Sequence, residues 1–272
     1  MAEPLRASTF ELAAPGSTPP SSQTATTCLD VVLALSAVCL LPLCCRKLLE
    51  CCGAALLLLL YYGLYCVLIV RWRRGTFGYS PPWNMVPWRY PRNSLQRSRS
   101  YKLVAAFCVL LAVQVVAQVA SFETIQVDQD ASWTQAGFLC TLLVWAPANS
   151  MLEQLSWLYC FDAFDKYGLS EAVPFSTGRR LVQSTLGVLA CLALVGSIHV
   201  FFWTKFLPDY VRMEPQHTVL FASRFVVTPG YILVREWSQS MTPVAMVHIV
   251  SDVCLVLGSR YDLLPRLFRP LP

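Results

Sequence analysis

RWRRGTFGYSPPWNMVPWRYPRNSLQRSRSYK, residues 71–102, carries eight Arg or Lys and no Asp or Glu, and it lies between two long apolar runs. A short basic loop between membrane-spanning segments is retained on the cytoplasmic side, so this stretch orients the spans on either side of it. The expected fold is therefore all-α: a polytopic transmembrane helical bundle of six or seven spans.

Length alone would permit one or two soluble domains in 272 residues. Composition excludes that class, because 56% apolar and 14% charged residues leave too little polarity for a water-facing surface. The formal charge of +5 is concentrated in the loop of residues 71–102. Residues 1–27 are rich in Ala, Ser, Thr and Pro, with Glu3, Arg6 and Glu11 as their only charges. They read as a disordered tail. They lack the basic start, apolar centre and cleavage site of a secretory signal.

The membrane domain is expected over 28–258. Its first run is CLDVVLALSAVCLLPLCC, 28–45, and its second is CCGAALLLLLYYGLYCVLIV, 51–70. Each approaches the ~20 residues a helix needs to cross ~30 Å of hydrocarbon. With only Arg46 to Glu50 between them, a tight helical hairpin is expected, and one span plus a broken interfacial piece is the alternative. The third run is 103–121, and the acidic stretch beyond it, with Glu123, Asp128 and Asp130, belongs on the outer side. The fourth, 131–152, should kink at Pro147, with Asn149 or Ser150 satisfying the freed backbone group. Residues 153–180 read as a mixed loop returning inside. The fifth run, 181–204, ends in Phe201, Phe202 and Trp203 at headgroup depth.

The last two runs, 217–234 and 238–258, contain Arg224, Thr228, Pro229, Gly230, His248 and Asp252. If both cross, there are seven spans, and the short basic tail 259–272, with Arg260, Arg266 and Arg269, lies outside against the charge rule. If 217–234 is re-entrant or lies along the bundle, there are six and the tail lies inside.

His248 and Asp252 are four residues apart and share one helix face. Ionisable side chains at such depth face the bundle interior and find partners, because lipid exposure costs a few kcal/mol or more. Arg224 is the counter-charge expected for Asp252. The bland reading of this pair is an interhelical salt bridge, and the functional one is a polar site for a lipid headgroup or a proton relay. His199, in GSIHVFFW, is expected to be structural or interfacial. As catalytic candidates the chain offers His199, His248 and Asp252. Three histidines limit metal chemistry, and neither a metal nor a cofactor site is apparent.

Most of the twelve cysteines sit inside apolar runs, where a thiol packs as a small hydrophobe. CCRKLLECC places Cys44, Cys45, Cys51 and Cys52 at the membrane boundary beside Arg46 and Lys47, a setting compatible with acylation. The hairpin puts that turn outside, whereas acylation is cytoplasmic, so apolar packing is the default. In the basic loop, Arg71, Arg73, Arg74, Trp83, Trp88, Arg89 and Arg92 are the expected lipid-surface contacts, each cation contributing about 1 kcal/mol near anionic lipid. Phosphorylation of Ser94, Ser98 or Ser100 would weaken that attraction. Nothing resembles a nucleic-acid module, a phosphate-binding glycine loop, a nucleophile elbow or a repeat.

SYKLVAAFCVLLAVQVV, SWTQAGFLCTLLVW, SIHVFFWTKFLPD and MVHIVSDVCLVLGSRYDLLPRLFRP, taken in order, resemble the succession of helices in the rolling-stone-like family of multi-pass membrane proteins, itself similar to the androgen-induced protein family. The likeness covers roughly 101–269. It implies a link to myoblast fusion without a settled biochemistry and, in some relatives of the androgen-induced family, lipid-ester hydrolysis by a threonine and a histidine; that threonine has no matching position here. Glu153, His199, His248 and Asp252 also resemble the ligand order of CAAX-type intramembrane proteases. In this sequence Gln154 stands where the second Glu belongs, and the closing arginine is absent. The function expected is a lipid-interacting multi-pass membrane protein, with an intramembrane lipid-ester hydrolase as the alternative. A hydrolase needs a hydroxyl or thiol about 3 Å from His199 or His248.

Overall fold

The computed structural model describes residues 26–80, 94–122, 133–168, 176–199 and 215–267. Among them every regular element is a helix. Asp30 starts the first by accepting a hydrogen bond from the Thr27 backbone N–H at 2.8 Å, which satisfies a donor the helix leaves open. α1 (Cys28–Cys39) and α2 (Leu41–Cys52) meet at a bend of 41°. Pro42 accounts for it, since proline has no N–H to continue the helical ladder.

The expected turn at 46–50 is helical instead: Arg46 Nε lies 3.0 Å from Glu50 Oε1, one turn on. The chain reverses at Gly53, whose φ of 77° only glycine adopts without strain. α3 (Ala54–Arg74) then returns antiparallel to α1, with Tyr65 Oη donating to the Leu33 carbonyl and Arg73 reaching Asp30. Within α3, Leu59–Ile69 is wound as a π-helix. Its wider turns bring residues four and five apart onto one face, and Tyr61, Tyr65, Cys66 and Val70 are all buried along it.

α4 (Ser94–Phe122) is a 29-residue helix. Thr134 caps α5 (Gln135–Cys140) by accepting from the Gly137 N–H at 3.0 Å. α5 runs through a wide turn, Thr141–Trp145, into α6 (Ala146–Asp165). The expected disturbance at Pro147 is this widening: the Ala146 N–H bonds back five residues to the Thr141 carbonyl.

α6 overturns the expectation of a loop over 153–180. It stays helical to Asp165, and every residue from Glu153 to Ala163 is buried. It is the central helix, packed against α1, α3, α7 and α9. Its polar residues face other helices, so they do not have to be released to water. α7 (Thr177–Ile198) presses against it at Gly187, where an added Cβ would sit 2.6 Å from the Phe161 carbonyl oxygen.

α8 (Pro215–Ser238) is one continuous helix with Pro229 inside. Gln239, at φ 55°, turns the chain directly into α9 (Thr242–Ser259). Arg260, at φ 50°, ends that helix before the short α10 (Leu264–Leu267).

Cross-links define two ends of the bundle. Asp30, Arg73, Arg74, Asp162, Arg235 and Met241 gather at one. At the other, the Trp133 indole donates to the Arg260 carbonyl at 2.9 Å and the Leu263 N–H donates to Thr141 Oγ1 at 2.9 Å.

Among the described residues four helices are long and apolar enough to cross a membrane: Ala54–Arg74, Ser100–Val119, Thr177–Ile198 and Thr242–Ser259. The bent pair α1–α2 makes a fifth if it counts as one span. Polarity is inverted relative to a water-soluble protein. Leu59, Leu143, Leu181 and Val226 are each about two-thirds exposed, while Gln114, Gln118, Asn149, Glu153, Gln154 and Asp252 are buried. An apolar exterior around a polar centre suits a lipid solvent, and the whole is consistent with a polytopic membrane protein.

Candidate functional site

Asn149, Ser150, Glu153 and Gln154 stand at i, i+1, i+4 and i+5 on α6 and so share one face. That face meets His248 and Asp252 of α9. Asp252 is the hub. Its Oδ2 accepts from Asn149 Nδ2 at 2.8 Å and lies 2.7 Å from Ser150 Oγ. Its Oδ1 lies 3.4 Å from both Arg224 Nη2 of α8 and His248 Nε2. Ser150 has one hydroxyl hydrogen to share between Asp252 and the Ala146 carbonyl at 2.8 Å. Asn149 and Ser150 therefore serve Asp252, and not the carbonyl freed by Pro147.

His248 is stacked on Trp157, with ring centroids 5.2 Å apart, and lies 6.1 Å from the Tyr231 ring. Its Nδ1 is 3.5 Å from Gln154 Nε2, and its Nε2 is 3.9 Å from Glu153 Oε2. With Gln154 donating to Nδ1, the ring hydrogen sits on Nε2 and points to the carboxylates. No hydroxyl or thiol meets either nitrogen of His248 among the described residues. His199 also lies against Trp157, 6.1 Å between rings, with Nδ1 2.7 Å from the Val195 carbonyl of its own helix. The structure thus brings Arg224, His248 and Asp252 together, with His199 reaching the same indole on which His248 stacks.

The cluster extends along α3 and α4. Tyr62 donates to Asn149 Oδ1, and Tyr61 Oη lies 2.9 Å from Ser156 Oγ. Gln114 Nε2 donates to Tyr231 Oη at 2.9 Å and accepts from Ser251, while Gln118 donates to Ser251 at 3.1 Å. Sequence reading missed these Tyr and Gln partners; the i, i+1, i+4, i+5 polar set on α6 was the signal that pointed toward them. Arg224 Nη1, Gln154 Oε1 and Trp157 Nε1 are buried without a hydrogen-bond partner among the described residues. No group of three or more His, Cys, Asp or Glu there is arranged to hold a metal ion.

A second polar group lies at the bundle end marked by Arg73 and Arg235, around a pocket of about 210 Å³. Arg73 and Arg74, expected on the membrane surface, are folded into it. Arg73 grips Asp30 with Nε and Nη2 at 2.8 and 2.7 Å, and Tyr159 Oη donates to the same carboxylate at 2.7 Å. Arg74 bonds Asp162 and lies 5.2 Å over the Tyr159 ring. Asp162 also receives Arg235, through two bonds, and Lys166 Nζ at 3.2 Å. These cations turn inward because they are the counter-charges of two carboxylates buried in the helix ends. The pocket is closed on one side by residues 77–80, tied to the start of α9 through the Met241 N–H to Gly78 carbonyl bond at 2.9 Å and the Thr242 hydroxyl to Ser80 carbonyl bond at 2.5 Å.

Arg71, one of the expected lipid-surface contacts, is exposed, as is its neighbour Trp72. Trp83, Trp88, Arg89 and Arg92 lie outside the described residues, as do the aromatic group 201–203 and the acidic stretch around Asp128. Cys44, Cys51 and Cys52 are exposed thiols on α2, towards the Gly53 reversal. No family model matches the chain, and no curated protein or solved structure matches it.

Proposed function

We propose that this chain is a seven-crossing membrane protein that holds membrane lipid and does not transform it, with residues 71–102 cytoplasmic and the Asp252 cluster acting as an interlock. The observation that carries the reading is Asp252 itself: one buried carboxylate on α9 ties α6, through Asn149 and Ser150, to α8, through Arg224. Lipid supplies no hydrophobic drive between helices, so buried polar bonds and close packing have to hold them together. The continuous helix α8 speaks against a re-entrant 217–234 and so favours seven crossings. Carbonate extraction tests membrane integration. The protein is expected in the pellet, and release into the supernatant overturns the reading.

The hydrolase reading draws on one observation: Ser150 and His248 share the Asp252 carboxylate through different oxygens. A nucleophilic hydroxyl and an imidazole base would thus be held by one carboxylate. A lipid-like fluorophosphonate probe distinguishes the two readings. Covalent labelling that disappears in Ser150→Ala supports the hydrolase, and an unlabelled folded protein supports the interlock.

A further inference from the structure

We propose that the pocket between α3, α6 and α8 binds a singly charged phosphate group, presented either by a phospholipid headgroup or as free phosphate. Among the described residues of its lining, Arg73, Arg74, Lys166 and Arg235 face Asp30, Asp162 and Glu236, which leaves one positive charge in surplus. The surplus has a location. Arg73 and Asp30 form a closed pair through both carboxylate oxygens. Arg235 divides itself between Asp162 and Glu236. Arg74 and Lys166 have Asp162 as their one acidic partner among the described residues, and Arg235 already occupies both oxygens of that carboxylate.

Three cations share one carboxylate, which has two oxygens to offer them. Lys166 has three N–H donors, and its ion pair with Asp162 uses one of them. The Lys166 side chain is 33% exposed and that of Arg74 27%, so both are reachable from solvent while Asp162, at 1%, is not. An anion is therefore received by the two cations and kept from the carboxylate behind them. A pocket of about 210 Å³ has room for a phosphate group with part of its hydration. A carboxylate of the same charge offers two acceptor oxygens, whereas a phosphate presents oxygens in several directions and bridges an ammonium and a guanidinium together. The pocket lies at a bundle end, where headgroups of an adjoining leaflet stand, and it does not depend on how many helices cross.

The test is thermal unfolding of the full chain in phosphate-free detergent, titrated separately with inorganic phosphate, with short-chain phosphatidylglycerol, and with chloride at matched ionic strength. Phosphate or phosphatidylglycerol is expected to raise Tm beyond chloride. Action of phosphatidylglycerol at a tenfold or more lower concentration identifies a headgroup site, and equal potency identifies a free-phosphate site. Lys166→Gln is expected to raise the half-effective concentration at least tenfold, Lys166→Arg to restore most of it, and Lys102→Gln, an exposed cation elsewhere, to leave it unchanged. Arg74→Gln is the second variant, compared by its response and not by its own Tm. No stabilisation beyond chloride, or a Lys166→Gln response equal to that of the unmodified chain, overturns the proposal.

Discussion

Asp162 and Arg235 meet through both carboxylate oxygens, Nη1 to Oδ2 at 2.7 Å and Nη2 to Oδ1 at 2.5 Å, joining the last turns of α6 and α8. Asp162 is buried and Arg235 nearly so, and removing one member strands the other's charge. Asp162→Asn is expected to cost about 3–5 kcal/mol, read as lost folded protein after detergent solubilisation. Arg235→Lys keeps the charge but loses the two-pronged geometry, and should fall between the original and Asp162→Asn.

Arg224 and Asp252 should show coupling in a charge-swap cycle. Arg224→Asp and Asp252→Arg are each expected to be severely destabilising, and the double swap should recover part of the loss. Recovery is incomplete because Asn149 and Ser150 also address residue 252. A double variant as poor as the sum of the singles would mean that the two side chains do not meet.

Ser150→Ala removes a hydrogen bond to a buried carboxylate and is expected to cost about 1.5–3 kcal/mol in the same solubilisation assay. A loss within a few tenths of zero would show that Asp252 is served without it.

The α6–α7 contact makes a paired glycine prediction. Gly187→Ala drives a methyl to 2.6 Å from the Phe161 carbonyl oxygen, whereas nothing lies within 4 Å of a methyl at Gly178. The first should destabilise by about 1–3 kcal/mol, and the second should be neutral or gain up to about 1 kcal/mol from helix propensity. Thermal melts that rank them in reverse would contradict the close approach of α6 and α7.

Several features were legible in the residues alone. Arg224, His248 and Asp252 stood out because a charge in an apolar run has few places to go, and the hairpin of the first two runs followed from their lengths. The position of its turn did not. Arg46 and Glu50 looked like a polar break but form a helical i,i+4 pair, while the reversal rests on the backbone freedom of Gly53. The larger miss was the second half of α6, from Glu153 on. Glu153, Gln154, Asp162 and Asp165 lower its hydropathy to that of a loop, because hydropathy registers transfer to lipid, and a helix enclosed by α1, α3, α7 and α9 makes no such transfer. For the same reason Arg73 and Arg74 read as surface cations: their partners, Asp30 and Asp162, lie 43 and 88 residues away in the chain.

Two-sided labelling of single cysteines, in a background with the exposed native thiols replaced, tests the central claim most directly. Thr76→Cys and Gln239→Cys lie at the bundle end that holds Arg73 and Arg235, and Gln135→Cys and Arg260→Cys at the opposite end; all four positions are exposed. In sealed vesicles of known orientation, an impermeant maleimide is expected to reach the first two from the cytoplasmic side alone and the last two from the other side alone. Labelling of all four from one side would contradict a bundle that crosses the membrane between those ends.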